Sequence, residues 1–309
     1  MQKKNDFWIQ CRKRWQLFIF LIPAVVFMLI FHYYPMFGAQ IAFKDFMPGE
    51  GIWGSPWVGF KHFQKFIKSY QFSRVLINTL RLSFYGLLVN SPLAICIALA
   101  INTVKNFRFK KAVQTITYMP HFISIVVVVG MLTQMLNPIM GLYGRVFQLM
   151  GGQGYPNDIL TKAGAFPHLY TWSGVWQNLG WNTIIYIAAL SAVDLELHEA
   201  TQIEGATRLQ RVRYIDFPTL LPTASIMLVL NAGGIMSVGF EKVFLMQNTA
   251  NLSFSEVIST YVYKVGMSAG SPQFSYASAI GLFNSVINFI ILVVVNNLSR
   301  KIDNGASLF

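Results

Sequence analysis

Six stretches of the chain that carry almost no charge constrain its fold more than any other feature. They are residues 17–34, 79–101, 112–135, 172–193, 218–240 and 277–298. A helix needs about 20 apolar residues to cross roughly 30 Å of hydrocarbon, where every backbone polar group must be bonded internally. Since 54% of the 309 residues are hydrophobic and only 12% are charged, we predict an all-α integral membrane protein. Residues 1–309 are expected to form a single domain with six transmembrane helices.

The distribution of basic residues predicts how the chain is oriented. If the N-terminus lies inside, the inner segments contain 14 Lys and Arg in 61 residues, and the outer segments contain 9 in 116. Cytoplasmic loops of membrane proteins are enriched in Lys and Arg, so both termini and the 194–217 loop are predicted to be cytoplasmic. Topology then explains the net charge of +12, and no nucleic-acid partner is expected.

The 194–217 loop has the pattern of two short helices joined by a glycine. Asp194 is placed to cap the first helix, and Thr207 with Gln210 has the spacing of a capping box for the second. Gly205 between them is free to adopt a positive φ. Apolar residues recur at helical spacing on both helices, and so short a hairpin cannot bury them alone. The hairpin therefore either folds back on its own bundle or docks on another subunit.

The sequence EATQIEGA at 199–206, followed by FP at 217–218, resembles a known loop. It is the EAA loop of permease subunits in ATP-binding-cassette (ABC) importers that use a substrate-binding protein. Thr201 replaces the second alanine of the usual pattern, and Glu204 stands where aspartate is frequent. WVGFKHFQKF at 57–66 is similar to the external helix and second-span start of sugar permeases. GGIMSVGFEKVFLM at 233–246 resembles the subgroup that imports complex oligosaccharides, including fragments of polysaccharides.

The resemblance implies a type I ABC importer permease fold, with the 194–217 hairpin as a coupling element after the fourth span. It implies contact with an ATPase subunit through Glu199, Ala200, Glu204, Gly205, Ala206 and Arg208. It also implies a set of partners in the lipid of a bacterial cytoplasmic membrane. These are a second, non-identical permease subunit, two ATPase subunits that bind ATP and Mg, and an extracytoplasmic sugar-binding protein.

Polar residues inside the spans are candidates for a transport pathway, although many such residues only bond neighbouring helices. The residues alone leave both interpretations open: Glu241 beside Lys242 also suits an interfacial pair, and Asn284 a helix contact. The resemblance implies that this region lines a sugar pathway. The candidates are Asn231, Ser237, Phe240, Glu241, Tyr261 and Asn284.

No catalytic or metal-binding pattern is present in the sequence. The five histidines lack ligand spacing such as HExxH, and the chain has no GxxxxGK[ST] phosphate loop. We therefore expect a transporter subunit with no enzymatic activity and no metal or cofactor of its own. The alternative is a stand-alone secondary sugar or ion transporter, which predicts acidic residues near mid-membrane and often inverted repeats. The spans contain almost no acidic residues, which favours the importer.

Overall fold

The computed structural model describes residues 13–268 and 270–302 of the chain. That part of the chain is helical, and its only extended pairing is an isolated antiparallel bridge between Lys44 and Trp57. The all-α prediction is therefore confirmed for the described residues. The end segments 1–12 and 303–309, both predicted to be cytoplasmic, lie outside them.

The α-helices of the described residues are numbered here in chain order. They are α1 Trp15–Met28, α2 Tyr34–Met36, α3 Gly51–Gly54, α4 Lys61–Ile67, α5 Tyr70–Asn102, α6 Phe107–Tyr118, α7 Ile125–Met135, α8 Leu142–Leu149, α9 Phe166–Leu190, α10 Leu195–Ile203, α11 Arg208–Arg211, α12 Phe217–Ala232, α13 Phe240–Met246, α14 Leu252–Ser255, α15 Ile258–Tyr263 and α16 Phe274–Ile302. Short π-helical turns at Leu29–Tyr33, Val212–Asp216 and Lys264–Ser268 continue α1, α11 and α15.

Helices long and apolar enough to cross a membrane account for most of the predicted spans. Four such segments are Phe18–Phe43, Tyr70–Asn102, Arg208–Ala232 and Phe274–Arg300. A fifth results if the bent pair Phe107–Phe122 and Ile125–Met135 forms one span. The predicted span 172–193 lies largely in α9, which has 25 residues. Its amide side chains make α9 less apolar than the other spans.

Two predicted spans, 112–135 and 218–240, are not continuous helices, so these two predictions are wrong in their bounds. The first is bent by 97° at a break before α7, where Ile123 and Ser124 are extended. In the second, α12 ends at Ala232, and Gly233 and Gly234 follow it. Glycine is a poor helix former, and α13 resumes only at residue 240.

Side chains of neighbouring helices bond the backbone groups that these breaks release. Gln177 of α9 donates to the carbonyl of Ile123 at 2.8 Å. Asn288 of α16 donates to the carbonyl of Gly233 and accepts from the N–H of Met236 at 3.1 Å. Irregular backbone is tolerated at membrane depth only where such groups are satisfied. Both interruptions are therefore supported features of the fold.

The chain divides into two compact units. Of the described residues, the first contains 13–67, 265–268 and 270–282, and the second contains 68–264 and 283–302. Apolar clusters of the second unit include Leu82 in one and Tyr186 in another. Both residues also line a cavity, so the core of the second unit positions the candidate site.

Candidate functional site

A cavity of about 570 Å³ lies within the second unit. Its wall is formed by α5, α7, α9, α12, the unwound segment 233–239 and the start of α13. Polar side chains make up half of this wall. They belong to Ser83, Asn90, Ser91, Tyr170, Thr171, Gln177, Asn178, Asn182, Tyr186, Asn231, Ser237, Glu241 and Lys242. An amide- and hydroxyl-rich cavity among helices this apolar suits a polar ligand of moderate size.

Some of the amides in the wall have structural partners. Asn178 donates to the carbonyl of Gly174 at 3.2 Å, and its Oδ1 lies 2.9 Å from Nδ1 of His121. The imidazole of His121 in turn stacks on the ring of Trp181, with centroids 4.4 Å apart. Together with the bond from Gln177 described above, these contacts fix one side of the wall.

Other polar groups of the wall have no hydrogen-bond partner among the described residues. The side chains of Asn182, Asn231 and Ser237 face the cavity in this state. Thr171 Oγ1 and Asn90 Oδ1 are buried and also unbonded. Buried polar groups are normally hydrogen-bonded. The side chains of Asn182, Asn231 and Ser237 are therefore available to water or a ligand.

A lysine and a glutamate lie side by side in the sequence at the start of α13. Lys242 is 6% exposed, and its Nζ donates to the carbonyl of Tyr170 at 2.8 Å. The same Nζ lies 4.8 Å from the centroid of the Tyr170 ring. Glu241 is exposed in the first turn of α13. No ion pair joins the two side chains within 4.0 Å.

The cavity brings together three of the six pathway candidates predicted from the sequence, namely Asn231, Ser237 and Glu241. The other three lie outside its lining. Phe240 packs against the rings of Phe244 and Tyr263, and Tyr261 is 7% exposed. Asn284 donates to the carbonyl of Met236 at 3.3 Å, where it supports the break in the predicted fifth span.

Both helices of the 194–217 hairpin begin as the sequence predicts, but the prediction of a second short helix is wrong. That helix continues from α11 through the π-helical turn Val212–Asp216 into α12 without a break. Asp194 caps α10 by accepting from the N–H of Glu196 at 3.0 Å. Gly205 has a φ of +80°. Thr207 and Gln210 form a capping box at the start of α11, with bonds of 2.7 and 3.3 Å. Local hydrogen bonds therefore define both helix starts and the turn between them.

The hairpin leaves its apolar side chains uncovered in this chain. Leu197 is 54% exposed, Ile203 is 88% exposed and Leu209 is 77% exposed. Glu199, on the same loop, is exposed and makes no ion pair with a described residue. These three side chains are not buried against described helices of this chain, whereas Val212 and Ile215 are half-buried. The exposure of the three favours the interpretation that the hairpin docks on another subunit.

One buried carboxylate ties the hairpin to the helices. Asp216 is 3% exposed, and its Oδ1 lies 3.4 Å from Nε2 of His198 in α10. The same oxygen accepts from Asn102 at the end of α5 at 3.3 Å. This contact was not predicted from the sequence, because Asn102 is more than 110 residues from Asp216.

The polar residues that α9 contributes to the cavity were not among the pathway residues predicted from the sequence. The available signal was the interruption of an otherwise apolar stretch by Asn178 and Asn182, in a helix that also contains Gln177. Spaced four residues apart, the two asparagines lie on one face of the helix. This face turns out to be the cavity wall.

Comparison with known proteins identifies a family. The model of the family described as "Binding-protein-dependent transport system inner membrane component" matches residues 90–304. Protein LplB of Bacillus subtilis (strain 168) is 37% identical over 302 residues, which cover 97% of this chain and 93% of LplB. The polygalacturonan/rhamnogalacturonan transport system permease protein YteP of the same organism is 37% identical over 97% of this chain and 92% of YteP.

Solved structures give the same result for the fold. A bacterial ABC transporter involved in the import of the acidic polysaccharide alginate has a chain that superposes with a TM-score of 0.87. That chain is 37% identical, and the match covers 96% of this chain and 99% of the other. The bacterial alginate ABC transporter in complex with an alginate pentasaccharide-bound periplasmic protein gives a TM-score of 0.86 and 37% identity, over 96% of this chain and 97% of the other.

Proposed function

This chain belongs to the family of binding-protein-dependent transport system inner membrane components, and from that membership we propose that it forms half of the membrane pathway of an ATP-driven oligosaccharide importer. The cavity of about 570 Å³ is the observation that carries the proposal. Its free amide and hydroxyl groups suit the hydroxyls of a sugar. Relatives named for polygalacturonan/rhamnogalacturonan and for alginate favour a fragment of a polysaccharide as the substrate.

The proposed topology has six spans in the bacterial cytoplasmic membrane, with both termini in the cytoplasm. The first, second and sixth spans are the apolar segments that begin at Phe18, Tyr70 and Phe274. The bent pair α6 and α7 is the third, α9 is the fourth, and α12 followed by the unwound segment is the fifth. This order puts the 194–217 hairpin between the fourth and fifth spans, in the cytoplasm with the basic residues of the chain.

The proposed partners complete what this chain lacks. A second, non-identical permease subunit would close the pathway, and two ATPase subunits would bind ATP and Mg. An extracytoplasmic binding protein would deliver the oligosaccharide. The relative whose title includes a pentasaccharide-bound periplasmic protein supports this last partner. The chain itself is proposed to hold no cofactor.

The hairpin is proposed to couple ATP hydrolysis to transport. Its exposed apolar residues, including Ile203 and Leu209, would enter a groove on an ATPase subunit, while Glu199 would pair with a basic group there. The contact of Asp216 with His198 and Asn102 would transmit movement of the hairpin to α5. ATP-driven closure of the ATPase subunits would thereby change access to the cavity.

Uptake into liposomes tests the proposal. The chain is co-expressed with candidate partners, purified through a tag on this chain, and reconstituted with ATP inside. We expect uptake of an oligosaccharide that requires both ATP and the binding protein. The control complex carries an ATPase whose phosphate-loop lysine is replaced, and it should be inactive.

The same preparation separates the importer from a secondary transporter. A secondary transporter works without an ATPase, so this chain alone would then accumulate sugar in response to an ion gradient. Accumulation by the isolated chain without ATP would contradict the proposed function.

A further inference from the structure

We propose that Lys242 and the cavity wall around it bind a carboxylate, so that the transported oligosaccharide is acidic. The inference rests on the proposed function for the saccharide nature of the ligand. Its negative charge is argued from the cavity itself.

The ammonium group of Lys242 is buried with unused bonding capacity. An ammonium has three donors, and among the described residues only the carbonyl of Tyr170 accepts from it. No described carboxylate lies within 4.0 Å of its Nζ. By contrast, Lys61 and Lys264 each contact a carboxylate, although both are more exposed. A buried charge is normally paired, so an anion from outside the chain would complete the site.

The wall beside Lys242 leaves room for the ammonium group. Thr171 is 2% exposed, and its Oγ1 has no partner. Gly174 lies so close that an added Cβ would stand 3.2 Å from Nζ of Lys242. Positions 170, 171 and 174 share one face of α9. The absence of a side chain at Gly174 therefore leaves space beside the ammonium group in the cavity wall.

The other groups of the wall do not supply the missing charge. Glu241 is the single carboxylate among the described lining residues, and it is exposed in the first turn of α13. There an acidic side chain is stabilised by the helix dipole and by water. All remaining lining groups are neutral. A uronic acid of an oligosaccharide carries the required carboxylate together with hydroxyls for the amides of the wall.

A second buried lysine provides the matched control. Lys44 is 2% exposed, donates to the carbonyl of Ile52 at 2.6 Å and lies 4.9 Å from the Trp57 ring. Its environment thus resembles that of Lys242, but Lys44 does not line the cavity. A general effect of removing a buried ammonium would appear in both Lys44→Gln and Lys242→Gln.

Equilibrium dialysis of the whole transporter in nanodiscs, without binding protein or ATP, tests the inference. The probes are trigalacturonate and its neutral methyl ester. We expect the wild type to bind the acid about tenfold more tightly, since bonds to charged groups are strong. Lys242→Gln should abolish this preference, Lys242→Arg should retain most of it, and Lys44→Gln should leave it intact. Gly174→Ala should weaken the preference for the acid more than Gly86→Ala, because a Cβ at residue 86 would lie 4.0 Å from its nearest neighbouring atom.

Three results would overturn the inference: equal binding of the two trimers by the wild type, an unchanged preference in Lys242→Gln, or equal losses in Lys242→Gln and Lys44→Gln. Gel filtration of each complex checks that it has assembled. Uptake assays with neutral galactotriose separate the two proposals. Uptake of galactotriose without any acid preference leaves oligosaccharide import standing and removes the carboxylate site. Binding that depends on Lys242, without ATP-driven uptake of any trimer, would support the carboxylate site and contradict oligosaccharide import.

Discussion

The cavity and the hairpin at 194–217 depart from the usual pattern of burial in opposite directions. The cavity wall contains buried polar atoms without a hydrogen-bond partner, such as Thr171 Oγ1, although the helices around it are apolar. The hairpin instead leaves apolar side chains such as Ile203 88% exposed. In each region the chain lacks a surface of complementary chemistry. The cavity therefore suits a small polar ligand, and the hairpin suits a groove on another protein.

The two regions also differ in the sequence separation of the contacts that fix their structure. The helix starts of the hairpin are fixed by contacts between residues two or three positions apart, such as the bond from Glu196 to Asp194. The cavity is held by contacts between distant segments, such as the bond from Gln177 to Ile123, 54 residues away. Substitutions in the hairpin should therefore affect docking, and those at supporting positions of the cavity should affect folding.

The largest effect is expected for Glu199→Ala, which would remove the charged contact between hairpin and ATPase. Such contacts contribute about 1.5–3 kcal/mol, so the affinity for the ATPase should fall by roughly tenfold to a hundredfold. ATPase retention is measured by titrating purified ATPase onto the immobilised permease. Arg208→Ala, also exposed on the hairpin, should have a smaller effect. Wild-type affinity in Glu199→Ala would mean that the hairpin is only a connector.

A smaller effect is expected for Gly205→Val, which tests whether the turn must be left-handed. An ordinary L-residue at a φ of +80° is strained by about 1–2 kcal/mol, and β-branched residues are rare there. ATP-driven uptake, normalised to inserted protein, should fall roughly five- to thirtyfold. Gly205→Asn should lose less, because asparagine visits this region more readily.

Gly164→Val is the matched control for that substitution. Gly164 also has open space around its Cβ position, but it does not have a positive φ. If the two valine variants transport equally well, backbone geometry at residue 205 is not what couples the hairpin.

The smallest effect on stability is expected for Asn231→Ala. The Asn231 side chain lines the cavity without a partner in the described chain, so the free energy of unfolding should change by less than about 0.5 kcal/mol. Uptake should nevertheless fall about twofold to tenfold through loss of one hydrogen bond to the ligand. Gln177→Ala, which frees the Ile123 carbonyl, should instead lower stability by about 1–3 kcal/mol. Equal loss of stability in both variants would contradict the distinction between Asn231, as an amide free for the ligand, and Gln177, as an amide that supports the fold.

What the sequence predicts follows the same division between local and distant contacts. The caps at Asp194 and Thr207 and the positive φ of Gly205 depend on neighbouring residues, and all three predictions are confirmed. The helical class follows from apolar length alone. The buried contact of Asp216 with His198 and Asn102 depends on how the helices pack, so no local sequence pattern predicts it.

The breaks in the spans show where apolar length misleads. By hydropathy, residues 218–240 form one uncharged apolar stretch, although the helix ends where Gly233 and Gly234 follow Ala232. The consequence is functional, because the unwound segment after Ala232 supplies Ser237 to the cavity wall. The resemblance implies that Phe240 lines the pathway; in the structure it begins α13 and packs against the rings of Phe244 and Tyr263.

The two hydrogen bonds between Asn288 and the unwound segment 233–239 limit which residues position 288 can tolerate. The Asn288 carboxamide donates to one backbone group and accepts from another, at Gly233 and Met236. Aspartate keeps only the acceptor, leucine keeps neither, and glutamine adds a methylene that displaces both. In a library of all twenty residues, position 288 should therefore accept asparagine almost alone. A deep mutational scan would score it as strictly as a ligand-binding residue, although its side chain lies in an apolar helix and outside the cavity lining.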